Sequence, residues 1–241
     1  MHGFLVLVTG QYNKNHYTCQ LQVVCLWYTW IMKKPVDIWQ AIWPTLSKHY
    51  KRTKTFLDYT THFQLLIAVI MSAQTTDDGV NKITPLLWQK YPRPIDLAQA
   101  NPRDVEKIIR PVGYYRAKTG YIIKTAQMIV KNFNGIVPDD AQSLQTLPGV
   151  GRKTAVAVLS NAFNKNIGIP VDTHVIRFVK RFHLSKSTNP DRIERELLEI
   201  IPKKDWRRAG YAIKEYGRKE GKARGWKSVD DPVWQAYQKI K

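Results

Sequence analysis

The chain has 241 residues, with 38 Lys and Arg against 19 Asp and Glu, for a formal charge of +19. Its hydrophobic content of 44% supplies a core and excludes an unfolded chain, and its two cysteines are too few to staple a fold of this length. The longest apolar run, Val23 to Met32, is interrupted by Thr29 and reaches about half of the roughly 20 residues a spanning helix needs, which argues against an integral membrane protein.

A charge this large on a chain this size favours a polyanionic partner, nucleic acid before an anionic membrane. The charge is uneven. From Met1 to Ile31 the single charged side chain is Lys14, and both cysteines, Cys19 and Cys25, lie there. Met32-Lys33-Lys34-Pro35 reads as an ordinary start, so residues 1–35 are expected to be a variable extension, or the product of an upstream start codon. A signal peptide is not expected, because the start lacks a basic segment and the apolar run Phe4 to Val8 is short.

Beyond Pro35 the apolar period is helical. Phe63, Leu66, Ile67 and Ile70 form one stripe, and Ile108, Ile109 and Val112 end a second helix. Tyr121, Ile122, Thr125, Ile129 and Phe133 form a third, stopped at Asn134-Gly135. Ala155, Val158, Leu159 and Ala162 predict a fourth, Val175, Val179 and Phe182 a fifth, and Ile193, Leu197 and Ile201 a sixth. Strand signals are weak, so the expected class is all-α.

Between the third and fourth stripes lies Leu144-Gln145-Thr146-Leu147-Pro148-Gly149-Val150-Gly151-Arg152-Lys153-Thr154-Ala155. A helix end runs into two glycines around one apolar residue, and a new helix starts at once. That is a helix-hairpin-helix, whose bare backbone amides at a helix start suit a phosphate of the DNA backbone and read no sequence. Lys153 falls in the first turn of the new helix. A cation is electrostatically misplaced there, which favours the neutral amine that attack on carbon requires. Partial burial of the side chain is expected to add to this. Asp172, ahead of Thr173 and the fifth stripe, is placed to cap that helix.

These strings, with Ser72-Ala73-Gln74-Thr75-Thr76-Asp77, Val80-Asn81-Lys82 and Pro170-Val171-Asp172-Thr173-His174-Val175, strongly resemble endonuclease III of the helix-hairpin-helix DNA glycosylase superfamily, from about Phe63 to Gly217. The resemblance implies two all-α domains with a DNA-binding cleft between them: 55–166, carrying the hairpin, and 36–54 joined to 167–241. It implies a bifunctional DNA glycosylase and AP lyase of base excision repair, with oxidised pyrimidines the implied lesions. Lys153 would be the nucleophile at C1′ and Asp172 the carboxylate that stabilises the developing positive charge. DNA contact is implied for Gln74, Tyr114, Gly149, Val150, Gly151, Arg152, Thr154 and His174. Gln74 would fill the hole left by the extruded base, with Tyr114 as the second wedge, where the family commonly has leucine.

The implied partner is duplex DNA with damaged bases or abasic sites. The expected setting is a cytoplasmic, nucleoid-associated monomer without membrane contact. Two alternatives stay open at this stage: a monofunctional mismatch glycosylase, against which Lys153 and the short chain argue, and a non-catalytic phosphate clamp, against which Val-Asp-Thr-His argues.

One departure from the family is plain. Endonuclease III ends in four cysteines spaced C-x6-C-x2-C-x5-C around an iron–sulfur cluster. The aligned positions here are Gly221, Ser228, Asp231 and Tyr237, and no cysteine follows Cys25. The enzyme is therefore expected to lack the cluster and to need no metal cofactor. From Pro202 to Lys227, ten basic residues face three acidic ones with tryptophans and tyrosines interleaved, so this tail is expected to contact DNA phosphates, with Trp226 and Trp234 as anchors.

Overall fold

A computed structural model describes residues 34–220 and 228–241. The expectations for residues 1–31 and for Trp226 lie outside these residues. The described chain from Pro35 onward forms one compact unit. Among the described residues all regular structure is helical.

The helices run α1 Pro35–His49, α2 His62–Met71, α3 Asp77–Lys90, α4 Pro94–Ala98, α5 Pro102–Ile109, α6 Tyr115–Phe133, α7 Ala141–Gln145, α8 Arg152–Ala162, α9 Thr173–Arg181, α10 Pro190–Ile200, α11 Trp206–Lys219 and α12 Pro232–Gln238. Their starts are written locally. Thr61, Thr76, Asn101, Asp140, Asp172, Asn189 and Asp231 each accept an amide hydrogen bond from the first turn of the helix they precede. The stop of α6 is as the sequence predicts: Asn134 and Gly135 take left-handed backbone, φ 51° and 77°. Val112, expected to close α5, lies just past it; its amide bonds Ile109 O in a turn and its side chain stays buried. Three short helices, α4, α7 and α12, carry no period that a sequence stripe could show.

Buried hydrophobic side chains gather in two clusters. One is built from α2 to α8 and includes Phe63, Leu66, Ile67, Leu87, Ile122 and Leu159. The other joins Trp39, Ile42 and Leu46 of α1 to residues from Ile169 to Tyr237. Each fully buried Leu or Ile is worth about 1.5–3 kcal/mol of transfer free energy, so each cluster holds its helices together by burial rather than by propensity. The second cluster is strongly aromatic: the rings of Phe178, Phe182 and Tyr216 meet tilted or edge-on at 4.6–5.8 Å, and Trp234 and Tyr237 of α12 close on Phe182 at 5.9 and 5.7 Å.

Charge pairs cross from one cluster to the other. Arg152, the first residue of α8, pairs with Glu194 of α10 at 3.2 Å. Asp77, the first residue of α3, pairs with Lys214 and Arg218 of α11, both at 2.9 Å. Asp77 and Glu194 are both buried, where one member of a pair left alone is far costlier than at the surface.

Candidate nucleic-acid interface and catalytic cavity

The hairpin is assembled by its neighbours. Gly149 has φ 78°, which favours glycine, and a Cβ there would come within 3.2 Å of Ile70 and 3.3 Å of Tyr121. Val150 points inward, 6% exposed, with its amide bonded to Leu147 O. Thr125 of α6 donates its hydroxyl to Pro148 O at 2.9 Å. Gly151 is different: its φ is −90° and a Cβ would meet nothing within 4 Å. Gly149 is therefore needed for the turn, and Gly151 leaves an open face over the start of α8. The first intrahelical bond of α8 runs from Ala155 N to Gly151 O, so the amides of Arg152, Lys153 and Thr154 lack intrahelical acceptors. Helix geometry makes them an anion cradle.

Beside the hairpin lies a cavity of about 630 Å³. One wall comes from the first cluster: Leu57, Val69, the turn from Ser72 to Asp78, Lys153, Thr154 and Ser160. The other comes from the second: Pro170, Asp172, His174, Tyr211, Lys214 and Arg218. Lys153 and Asp172, nineteen residues apart in the chain, thus line one space.

Asp172 caps α9 as expected, its Oδ1 accepting from His174 N at 2.8 Å and Val175 N at 3.1 Å. His174 is half-buried on the same turn, with its Nδ1 3.0 Å from the Arg177 guanidinium. Burial pushes the imidazole below its ordinary value, against the upward pull of the Asp172 carboxylate. A Cβ at Gly217 would fall 2.6 Å from the His174 ring, so glycine there lets α11 seat the histidine.

Several expectations need correction. Lys153 is exposed, not partly buried: it stands at the cavity wall with its side chain open to solvent, because position N2 of α8 faces the opening. The Arg152 side chain, though part-exposed, is engaged within the protein. Its guanidinium turns back onto Glu194 and onto Ile167 O at 3.2 Å. Val150 presents backbone alone, since its side chain serves the core.

The basic tail is also less of an open surface than its composition suggests. Arg207 donates to Thr53 O and Asn164, and Arg208 donates to Ser47 O. Lys219 pairs with Glu215 at 2.8 Å. Lys214 and Arg218 face the cavity, Arg218 lying 4.2 Å over the Phe56 ring. Lys222, Arg224 and Lys227 lie outside the described residues. Trp234 does anchor α12, through aromatic contact with Phe182 and Tyr237.

Gln74 and Tyr114 stand apart from the hairpin. Both take left-handed backbone, φ 53° and 58°, and both are exposed, Tyr114 at 70%. Gln74 lies on the cavity rim; Tyr114 caps the start of α6 outside it. Residues that sequence reasoning gave no role also line the cavity: Asp77, Ser160 and Tyr211. Asp77 stood inside a quoted motif, and its pairing with residues about 140 positions later left no local trace.

The C-terminal positions aligned with the family's cluster ligands do not fit an iron–sulfur cluster. Gly221 lies outside the described residues and Ser228 opens a 3₁₀ turn. Asp231 is fully buried; its Oδ1 caps α12 through Val233 N and Trp234 N at 3.0 Å, and its Oδ2 accepts from Tyr216 OH at 2.5 Å. Tyr237 packs its ring on Phe182. A carboxylate already committed to three donors and an aromatic ring supply no thiolate.

A hairpin opening onto a cavity with a lysine on one wall and a helix-capping aspartate on the other defines the helix-hairpin-helix class of DNA repair proteins. Residues 67–203 match the HhH-GPD superfamily of base excision DNA repair proteins, and the chain belongs to that family. It is 45% identical over 173 residues to endonuclease III of Synechocystis sp., covering 72% of this chain and 79% of that protein. Against endonuclease III of Escherichia coli (strain K12) it is 40% identical over 157 residues, covering 65% and 74%. Among solved structures, a trapped endonuclease III–DNA covalent intermediate superposes with a TM-score of 0.80 at 34% identity, covering 87% of this chain and all of that one. With that membership goes the activity: this chain is a DNA N-glycosylase and AP lyase of base excision repair.

Proposed function

We propose that Lys153 is the nucleophile and Asp172 its electrostatic partner, acting on a nucleotide extruded from damaged duplex DNA into the cavity. The observation that carries this reading is their meeting on opposite walls of one cavity beside the hairpin. The neutral amine attacks C1′, the C1′–N bond breaks, and the base leaves with the bonding pair and takes up a proton. The sugar ring opens as the nitrogen's pair forms a Schiff base. Loss of the proton at C2′ then expels the 3′ phosphate, and the strand is cut by β-elimination.

Positive charge develops on the sugar as the base departs. Asp172, with Oδ1 already engaged by two backbone amides, is oriented without cost at that moment and offers its charge to the cation. The hairpin amides hold a phosphate of the DNA backbone, and Gln74 and Tyr114 enter the stack that the extruded nucleotide leaves. His174, Lys214 and Arg218 line the same space, and the two cations among them face the strand's negative charge. The damaged bases are oxidised pyrimidines, the chain acts as a monomer on DNA in the cytoplasm, and it works without a metal cluster.

Incubation with an abasic duplex and borohydride tests the central assignment. The wild-type chain is expected to form a covalent adduct with the DNA, and Lys153→Ala to lose it while still binding the duplex. An adduct that survives in Lys153→Ala would move the nucleophile to another residue. Base release with no adduct in the wild type would make the enzyme monofunctional.

A further inference from the structure

Lys118, in the second turn of α6, is 4% exposed, and among the described residues no carboxylate lies within ion-pair distance of it. A buried cation without a counter-charge is rare and costly. Here its three ammonium hydrogens find three neutral acceptors: Met71 O at 2.7 Å, Ala73 O at 2.5 Å and Thr75 Oγ1 at 3.0 Å. Two of these are carbonyls at the C-terminal end of α2, where the helix dipole favours a cation. Burial nonetheless pulls the group below the ordinary lysine value.

The placement of the three acceptors matters more than their number. Ala73 and Thr75 flank Gln74, so one ammonium bridges the residue on either side of a left-handed glutamine. Thr75 Oγ1 also accepts from Gly113 N at 3.2 Å, immediately before Tyr114. A Cβ at Gly113 would stand 3.3 Å from Gln74 O, so the two loops touch at backbone distance. The backbone amide of Lys118 itself bonds Tyr114 O at 3.1 Å. Gln74 and Tyr114, forty positions apart, are both non-glycine residues in a conformation that costs about 1–3 kcal/mol each unless its surroundings impose it. Lys118 and Thr75 are the surroundings the two share.

We propose that Lys118 is a positioning residue that holds Gln74 and Tyr114 as one preformed two-pronged wedge, serving extrusion of a nucleotide from duplex DNA rather than the bond chemistry that follows. The inference rests on the reading of those two side chains as stack fillers. Extrusion must break pairing and stacking, and a wedge already set in its inserted shape does not have to order itself at that step. An abasic sugar in a single strand presents no stack to open and needs no wedge.

The test compares Lys118→Met, which keeps the length and removes the donors, with Thr75→Val, which keeps the shape and removes the shared acceptor. Single-turnover rates are measured on a thymine-glycol duplex and on a single-stranded oligonucleotide with one abasic site. The duplex rate is expected to fall by about tenfold or more in Lys118→Met, while single-strand cleavage stays within about threefold of wild type. Thr75→Val is expected to show the same selective loss, smaller in size, and it carries the test alone should Lys118→Met fail to fold. Equal losses on both substrates, or no loss on the duplex, overturn the proposal. The underlying reading is checked separately by Gln74→Ala and Tyr114→Ala. If neither slows duplex excision, the stack-filling role itself falls; if they slow it and the Lys118 and Thr75 variants do not, only the positioning role falls.

Discussion

Asp172 caps α9, and substitution can separate that cap from the electrostatic role proposed for the same carboxylate. Asparagine caps helices about as well as aspartate, so Asp172→Asn keeps the bonds to His174 N and Val175 N and discards the charge. We expect Asp172→Asn to melt as wild type does, within about 1 kcal/mol, while its single-turnover excision rate falls about a hundredfold or more. Asp172→Ala is expected to lose about 1 kcal/mol of stability as well. Equal activity of the wild type and Asp172→Asn would reduce the residue to its cap. The cap was legible in the sequence, because an aspartate three residues ahead of an apolar period is a local signal. The fate of Arg152 was not: a guanidinium beside a phosphate-binding turn reads as a DNA contact, and only the fold reveals Glu194 within 3.2 Å.

Among the elements, six helices were legible from their apolar stripes, but α1, α3 and α11, each of 14 or 15 residues, were not. Asn134-Gly135 marked the end of α6 because a left-handed stop has a specific residue preference. The stripe was imperfect as a guide to burial, since Tyr121, read on the apolar face of α6, stands 45% exposed beside Gly149. The short helices were invisible, having too few residues to display a period. Lys118 gave no signal of its own in the sequence, because its three acceptors come from the end of another helix and the turn after it.

The hairpin gives a paired prediction at this scale. Gly149→Ala forces φ 78° on an alanine and crowds Ile70 and Tyr121, so thermal melting should report a loss of about 1–3 kcal/mol. Gly151→Ala meets open space at φ −90° and should leave the melting curve nearly unchanged. Its methyl enters the open space beside the start of α8, where the phosphate is proposed to seat, and equilibrium binding to an abasic duplex should weaken by about fivefold or more, a change of about 1 kcal/mol. Unaltered binding in Gly151→Ala would place the phosphate elsewhere.

For the molecule as a whole, the cavity joins residues from two separately built hydrophobic clusters, and its walls are tied by charge pairs that span about 40 and about 140 positions of sequence. Long-range pairing of this kind has no periodic signature, which is why the excess of basic residues late in the chain read as an outward surface when many of them bind the protein itself. The absence of thiolates after Cys25 is a sequence fact with a spectroscopic consequence. Protein purified without oxygen should lack the broad absorption near about 400 nm that thiolate-bound iron–sulfur centres give, and its iron content should be far below stoichiometric. A stoichiometric band would require ligands other than those aligned here.

Gly168 gives the Arg152–Glu194 link a consequence of its own. A Cβ at that position would overlap the Glu194 carboxylate at 2.1 Å and crowd the Arg152 guanidinium at 3.2 Å. One missing methyl group therefore leaves room for the pair that ties the start of α8 to α10. Any side chain at Gly168 would have to part that pair, so a distant glycine guards the brace at the hairpin's exit.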